Sequence, residues 1–147
     1  MKYSFRNIRW IRVINTSLIT FAFCYFVLIL ITTCYAAILA FQVRGRPDQV
    51  AISHFAGSTG KWLMPLFEIV FTFTFTLITS KQIQKDIPIN GLIIGILVGI
   101  FGVFLNLVYG GVVTYYTVAL FLIISLCGYL GGVLVQNRRE SKSNLSA

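Results

Sequence analysis

Two long stretches without a charged residue constrain what this chain can fold into. The first is the 31 residues of Val13–Val43, and the second is the 51 residues of Ile87–Asn137. A helix needs only about 20 apolar residues to cross the hydrocarbon core of a bilayer. The chain as a whole is 57% hydrophobic and only 11% charged, and so few charges cannot cover the surface of a soluble domain. We therefore expect an integral membrane protein.

These runs predict one all-α membrane domain over residues 1–147, a compact bundle of four transmembrane helices. The expected helices are about 13–41, 62–80, 89–108 and 112–136; a basic segment 1–12, a loop 43–61 and a polar tail 137–147 complete the chain. The second run must be divided, because one helix of that length would reach about 75 Å. Gly110 and Gly111 supply the break, and Pro88 falls near the start of the third helix.

The segment FEIVFTFTFTLITSK, Phe67–Lys81, alternates Phe and Thr as a half-buried strand would. A strand can cross a membrane only within a closed barrel, because lipid offers no partner to its backbone groups. No other segment alternates in this way, so we predict a helix, with Pro65 in its first turn. On that helix Glu68, Thr72, Thr76 and Thr79 share one polar face.

Lysine and arginine are unevenly distributed between the two ends of the predicted bundle. Nine lie on the side of the termini and the second loop, and three lie on the other side. By the positive-inside rule both termini are expected in the cytosol, in a multi-pass protein of the cell membrane, such as a bacterial inner membrane. Lys2, Arg6, Arg9 and Arg12 are expected to bind lipid headgroups. The net charge of +8 thus predicts the lipid bilayer, and not nucleic acid, as partner.

Glu68 is the single acid within a predicted span. An acid inside a membrane costs about 2.5 to 3.5 kcal/mol on insertion scales, which suggests a proton or cation site. The alternative is a structural carboxylate near the outer interface, hydrogen-bonded to neighbouring side chains. We favour the structural interpretation, because the spans hold no second carboxylate and no basic partner. The candidate ion, proton or substrate site comprises Glu68, Thr72, Thr76 and Asn106.

Glycines recur at helical spacing in the last two helices. They are Gly91, Gly95, Gly99 and Gly102 on the third helix, and Gly128 and Gly132 on the fourth. Residues without a side chain allow close approach of another helix, as in the G-x-x-x-G motif. The third-helix spacing matches that of the polar stripe, so we expect the second helix to lie in this groove, with Asn106 bonding across.

No catalytic set, metal site or cofactor motif is expected. The loop 43–61 contains the single histidine, His54, and its AGSTGK sequence lacks the spacing of a phosphate-binding loop. The three cysteines, Cys24, Cys34 and Cys127, fall within predicted helices and are interpreted as small apolar residues.

Three function classes follow. The leading one is a non-enzymatic bundle that assembles with itself or within a larger membrane complex. The alternative is a small oligomeric transporter or channel that uses Glu68, and the third is a membrane enzyme that uses the outer loop. In length and number of helices the chain resembles the small multidrug transporters. Their essential acid lies in the first helix, where this chain has none, so the resemblance transfers no site residue.

Overall fold

The structure, a computed structural model, describes residues 8–43, 46, 48–83, 85–108 and 110–145. These residues form four helices and no strand: α1, Trp10–Val43; α2, Gln49–Ser80; α3, Ile87–Val108; and α4, Tyr115–Leu145. Each helix is long and apolar enough to cross a membrane. The prediction of four such helices, with the Phe/Thr segment helical, is therefore confirmed. Of the predicted headgroup residues, Lys2 and Arg6 lie outside the described residues.

Helices α2 and α3 occupy the centre of the bundle. Helix α3 packs most extensively on α4, and α2 packs on α1 and α4. In the described part of the chain, α1 and α4 lie on opposite sides of the central pair and do not pack against each other. The helices run alternately up and down, so α1 and α3 begin at the end where α2 and α4 finish.

The interior of the bundle is unusually polar and its outside is apolar. The buried polar residues described are Thr16, Ser17, Thr20, Glu68, Thr72, Thr76, Ser80, Asn90 and Ser125. Large apolar side chains such as Phe26, Ile29 and Phe104 are exposed instead. Exposure of so many large apolar side chains is typical of helices that contact lipid, because polar side chains of membrane helices face the interior of the bundle.

The prediction of a loop over 43–61 is wrong for most of its length, because α2 begins at Gln49 and not near Trp62. The Asp48 side chain caps the helix by accepting a hydrogen bond from the Val50 amide at 2.9 Å. Phe55 then stacks on Tyr35 of α1, with ring centroids 3.8 Å apart. Pro65 consequently lies inside the helix and not in its first turn.

The other predicted bounds shift by smaller amounts. Helix α1 begins at Trp10, and α3 begins at Ile87 with Pro88 in its first turn. The predicted break at the glycine pair is present, with Gly110 at a φ of +76°, a conformation that glycine adopts without strain. Helix α4 starts later than predicted, at Tyr115, and continues through the polar tail to Leu145.

Arginine side chains tie three helices together at one end of the bundle, here called the basic end and defined by Arg9, Arg12, Lys81, Lys85 and Arg139. The Arg12 guanidinium donates to the Gln82 carbonyl at 2.8 Å. Arg139 donates to the carbonyls of Ile83, at 2.7 Å, and Lys81. Cations are favourable beside the last carbonyls of a helix, and these two hold the α2–α3 connection against α1 and α4.

At the opposite end, residues 30–43 of α1 and 49–60 of α2 form a helical hairpin, here called the α1–α2 arm. Gly102 of α3 is level with Glu68 of α2, and α3 ends only six residues later, at Val108. At about 1.5 Å per residue, the arm extends roughly 20 Å past the end of α3. The α1 half of the arm exposes large apolar side chains, with Ile38 56% and Phe41 86% exposed, whereas the α2 half exposes polar residues such as Ser53 and His54.

Candidate functional site

Glu68 lies inside the bundle and not on its exposed surface. Its side chain is 5% exposed, and it follows Pro65 by almost one helical turn. Proline has no backbone N–H, so the Lys61 carbonyl lacks the donor that position 65 would otherwise supply. The helix therefore places a carboxylate and one backbone carbonyl without a helical donor within two turns of each other.

Glu68 borders a cavity of about 500 Å³ between α2, α3 and α4. Trp62, Met64, Val103, Tyr116, Leu120, Phe121 and Ile124 supply an apolar and aromatic wall. Lys61, Asn106 and Thr117 are the remaining polar side chains of the lining, and Gly60, Pro65, Gly99 and Gly102 complete it. Cavities of 300 to 1,000 Å³ that combine apolar walls with a few polar groups are typical of small-molecule sites.

The immediate surroundings of the carboxylate contain little that could neutralise it. A Cβ added at Gly102 would lie 3.1 Å from Oε1, so α3 approaches the carboxylate with bare backbone. From α1, the buried Cys24 lies near enough to interact electrostatically with Glu68. Among the described residues, no lysine, arginine or histidine forms an ion pair with Glu68; Lys61 is exposed at the cavity wall.

The polar face of α2 continues from Glu68 toward the basic end. Thr72, Thr76 and Ser80 are fully buried, and their hydroxyls have no hydrogen-bond partner in the described protein. Thr79, which was predicted to belong to this face, is only half-buried and shares a 2.9 Å hydrogen bond with Thr16 of α1. Ser80 takes its place in the buried row.

Asn106 lines the same cavity as Glu68, but its predicted bond to α2 is absent from the described structure. Its Nδ2 donates instead to the Val112 carbonyl at 3.3 Å, in the α3–α4 connection. The Gly111 amide also bonds the Asn106 carbonyl at 2.8 Å. A Cβ at Gly111 would collide with the Asn106 amide, so this turn requires glycine.

The prediction that the glycines of α3 form one groove for α2 is wrong, because they face two helices, α2 and α4. Gly91 lies against Gly128 of α4, and Gly95 lies against the Ile124 carbonyl. Gly99 contacts the Phe121 ring, whereas Gly102 contacts Glu68 of α2. Gly132 of α4 packs on Ile87 and Pro88. Most of these glycines therefore allow α3 and α4 to pack closely against each other.

Several site residues were not predicted from the sequence. Trp62, Met64 and Phe121 line the cavity but were not among the predicted site residues; Met64 lies one turn before Glu68 and therefore near its face of α2. Tyr116 and Thr117 come from the start of α4, and only the folded chain brings them to α2. Helical spacing relative to Glu68 was the one local feature of the sequence that could have indicated further site residues.

The other candidate positions carry no site in the described residues. His54 is exposed on α2, and the AGSTGK sequence is helical and so cannot form a phosphate-binding loop. No group of three or more His, Cys, Asp or Glu could hold a metal there. Cys24, Cys34 and Cys127 are all free thiols.

No protein family, curated protein or solved structure matches the chain. The site must therefore be interpreted from its own chemistry.

Proposed function

We propose that the protein is a small multi-pass membrane transporter that binds a lipophilic organic cation at Glu68. The observation that carries this proposal is the buried carboxylate, which borders a cavity of about 500 Å³ and has no paired cation in the described structure. Removing one partner of a buried ion pair is costly, and by the same reasoning an isolated buried carboxylate gains from an incoming cation. Acids placed inside membranes are typically functional.

The cavity wall supports the choice of a lipophilic cation. Trp62, Tyr116 and Phe121 provide aromatic faces that can interact with a positive charge through their π-electrons. Met64 and Leu120 add apolar surface for the body of the ligand. A hydrated metal ion would gain nothing from such walls, since hard cations prefer several oxygen ligands.

The proposed sidedness follows from the basic end. Its arginines and lysines, together with Arg138 and Lys142 of the α4 extension, lie on one side of the helices, where the positive-inside rule places the cytosol. The arm and the mouth of the cavity near Lys61 would then lie toward the outer side. We assign the protein to the cell membrane on this basis, as in a bacterial inner membrane, with lipid headgroups bound by the N-terminal arginines.

Purified protein in mild detergent can be titrated with tetraphenylphosphonium, a lipophilic cation, in a calorimeter. We expect Glu68→Gln to weaken binding at least tenfold, because the substitution removes the charge and keeps the shape. Glu140→Gln is the matched control, since Glu140 is an exposed acid bonded by Gln136. Equal affinities of the wild-type protein and Glu68→Gln would contradict the proposal.

A non-enzymatic bundle that assembles with itself or within a larger membrane complex is the second candidate, and the α1–α2 arm favours it. The arm presents exposed apolar residues, including Phe41, well beyond the end of α3. Mass measurement of the protein in mild detergent would reveal a homo-oligomer or a retained partner chain. A strictly monomeric protein without a retained partner chain would count against assembly.

A further inference from the structure

Three buried hydroxyls without a protein partner follow Glu68 along α2. Thr72, Thr76 and Ser80 follow it at intervals of four residues, so successive members are neighbours, and the row turns by about 120° around the helix between Glu68 and Ser80. All three are fully buried, and none of their Oγ atoms is hydrogen-bonded within the described protein. From Glu68 to Ser80 the row extends about 18 Å along the helix.

The helical conformation of α2 does not by itself leave these hydroxyls without hydrogen-bond partners. Serine and threonine hydroxyls in helices commonly bond the carbonyl four residues earlier. Thr74, also on α2 but exposed, does so with Val70 at 2.8 Å. On α1, buried Thr20 does so with Thr16 at 2.7 Å. Among the described residues, the buried hydroxyls without a partner are the three of this row.

The neighbours of the row are small. The Thr76 methyl faces Gly91 of α3 and Gly131 of α4, and Gly102 faces Glu68. At the far end, Ser80 is the last residue of α2, next to the connection held by Arg12 and Arg139. The row therefore leads from the carboxylate toward the basic end, where Ile83, whose amide donates to the Ser80 carbonyl, forms a buried apolar cluster with Ile87 and Val135.

Water is the occupant whose chemistry fits the row. Each hydroxyl can donate one hydrogen bond and accept others, and buried water normally binds polar groups that the protein leaves unsatisfied. We propose that Thr72, Thr76 and Ser80 hold a file of water molecules that conducts protons between the basic end and Glu68. This inference rests on the proposed function in one respect, that Glu68 is the group that binds the organic cation and accepts the proton.

The transfer balances in atoms and charge. A proton taken from a hydronium ion at the basic end passes along the file, each oxygen forming one O–H bond and releasing another, until the Glu68 carboxylate accepts it. The organic cation that the proton displaces leaves the cavity with one positive charge, so the net charge of the site is unchanged. The other titratable or charged groups that face Glu68 or its cavity in the described structure are Cys24 of α1, Lys61 of α2 and Tyr116 of α4. The cavity residues of α3 include none.

The test measures proton flux into liposomes loaded with pyranine, a pH-sensitive dye, with valinomycin and potassium to balance the charge. We expect wild-type protein to conduct protons above the level of empty liposomes. The double variant Thr72→Val/Thr76→Val, which removes two hydroxyls and keeps their branched shape, should lower the flux at least tenfold. Thr74→Val is the matched control and should conduct like the wild type.

Folding of the double variant is checked by circular dichroism and by gel filtration in mild detergent, in which it should match the helical content and elution volume of the wild type. Absent wild-type flux, unchanged flux in the double variant, or an equal loss in Thr74→Val would each overturn the water file. If the fluxes behave as expected but tetraphenylphosphonium does not bind the wild-type protein, the proposed substrate class fails and the path stands.

Discussion

The Glu68 carboxylate lies directly against Gly102, so that no side chain separates it from the backbone of α3. A Cβ at Gly102 would be 3.1 Å from Oε1 and 3.6 Å from Oε2. Both residues line the same cavity. The missing side chain on α3 therefore keeps one flank of the carboxylate open to a ligand.

Gly102→Ala should weaken the binding of tetraphenylphosphonium about tenfold, equivalent to roughly 1.4 kcal/mol, because the new methyl group competes for space beside the carboxylate. Stability should change little, since the nearest atoms belong to the end of a flexible side chain. Calorimetric titration measures the affinity. Gly57→Ala is the control, because nothing lies within 4 Å of a Cβ at Gly57. Equal affinities of both variants would show that ligands do not approach from this flank.

Gly95→Ala should destabilise the bundle more than Gly99→Ala. The Cβ at Gly95 would lie 2.6 Å from the Ile124 carbonyl oxygen and 2.8 Å from the Ser125 Cα, so the backbones of α3 and α4 must separate. At Gly99 the obstacle is the Phe121 ring, which can rotate. Overpacking of a rigid site typically costs about 1 to 3 kcal/mol. Unfolding in a series of denaturing detergent concentrations measures the stability of both variants. Similar losses of stability in the two variants would contradict the prediction.

The contrast between these glycines illustrates what the sequence could predict. Apolar length and the needs of the backbone in lipid were sufficient for four helices and for the shared face of Glu68, Thr72 and Thr76. Which neighbour each glycine of α3 meets depends on the rotation of that helix about its axis. Packing of the whole bundle sets this rotation, and no local sequence pattern predicts it.

The start of α2 was missed for a local reason. Glycine, serine and threonine between Ser53 and Lys61 suggested a loop, yet they are tolerated within a helix that packs on α1. Asp48 was the available signal, since Asp is among the best N-cap residues. Asn106 was harder to predict, because its partner lies in a turn whose geometry depends on Gly110.

Asp48→Ala should reduce the helicity of residues 49–60, because it removes the side chain that caps the Val50 amide. Losing such a cap costs about 0.5 to 2 kcal/mol. Phe55→Ala should have the same effect by removing the stacking contact with Tyr35. Hydrogen exchange of the arm amides measures both. His54→Ala, which changes an exposed residue of the same segment, should leave exchange unchanged, and equal protection in all variants would contradict the role of the cap.

Arg139→Gln should loosen the α2–α3 connection, since Arg139 bonds the carbonyls of Lys81 and Ile83. Hydrogen bonds from a charged group contribute about 1.5 to 3 kcal/mol when buried, and partial exposure should reduce the loss to about 1 kcal/mol. Arg138→Gln changes the exposed neighbouring residue and is the control. Limited proteolysis at residues 81–86 should accelerate only in Arg139→Gln. Equal cleavage rates would mean that other contacts hold this connection.

The proposed orientation predicts which positions a membrane-impermeant thiol reagent reaches in intact cells. In a background with Cys24, Cys34 and Cys127 replaced by alanine, Gly57→Cys should react from outside, because it is exposed on the arm. Ser141→Cys, exposed on the α4 extension beyond the basic end, should react only after the membrane is opened. The reason is the excess of lysine and arginine at that end, which opposes its translocation. The reverse labelling pattern would place the basic end outside and would invert the direction of the proposed proton path.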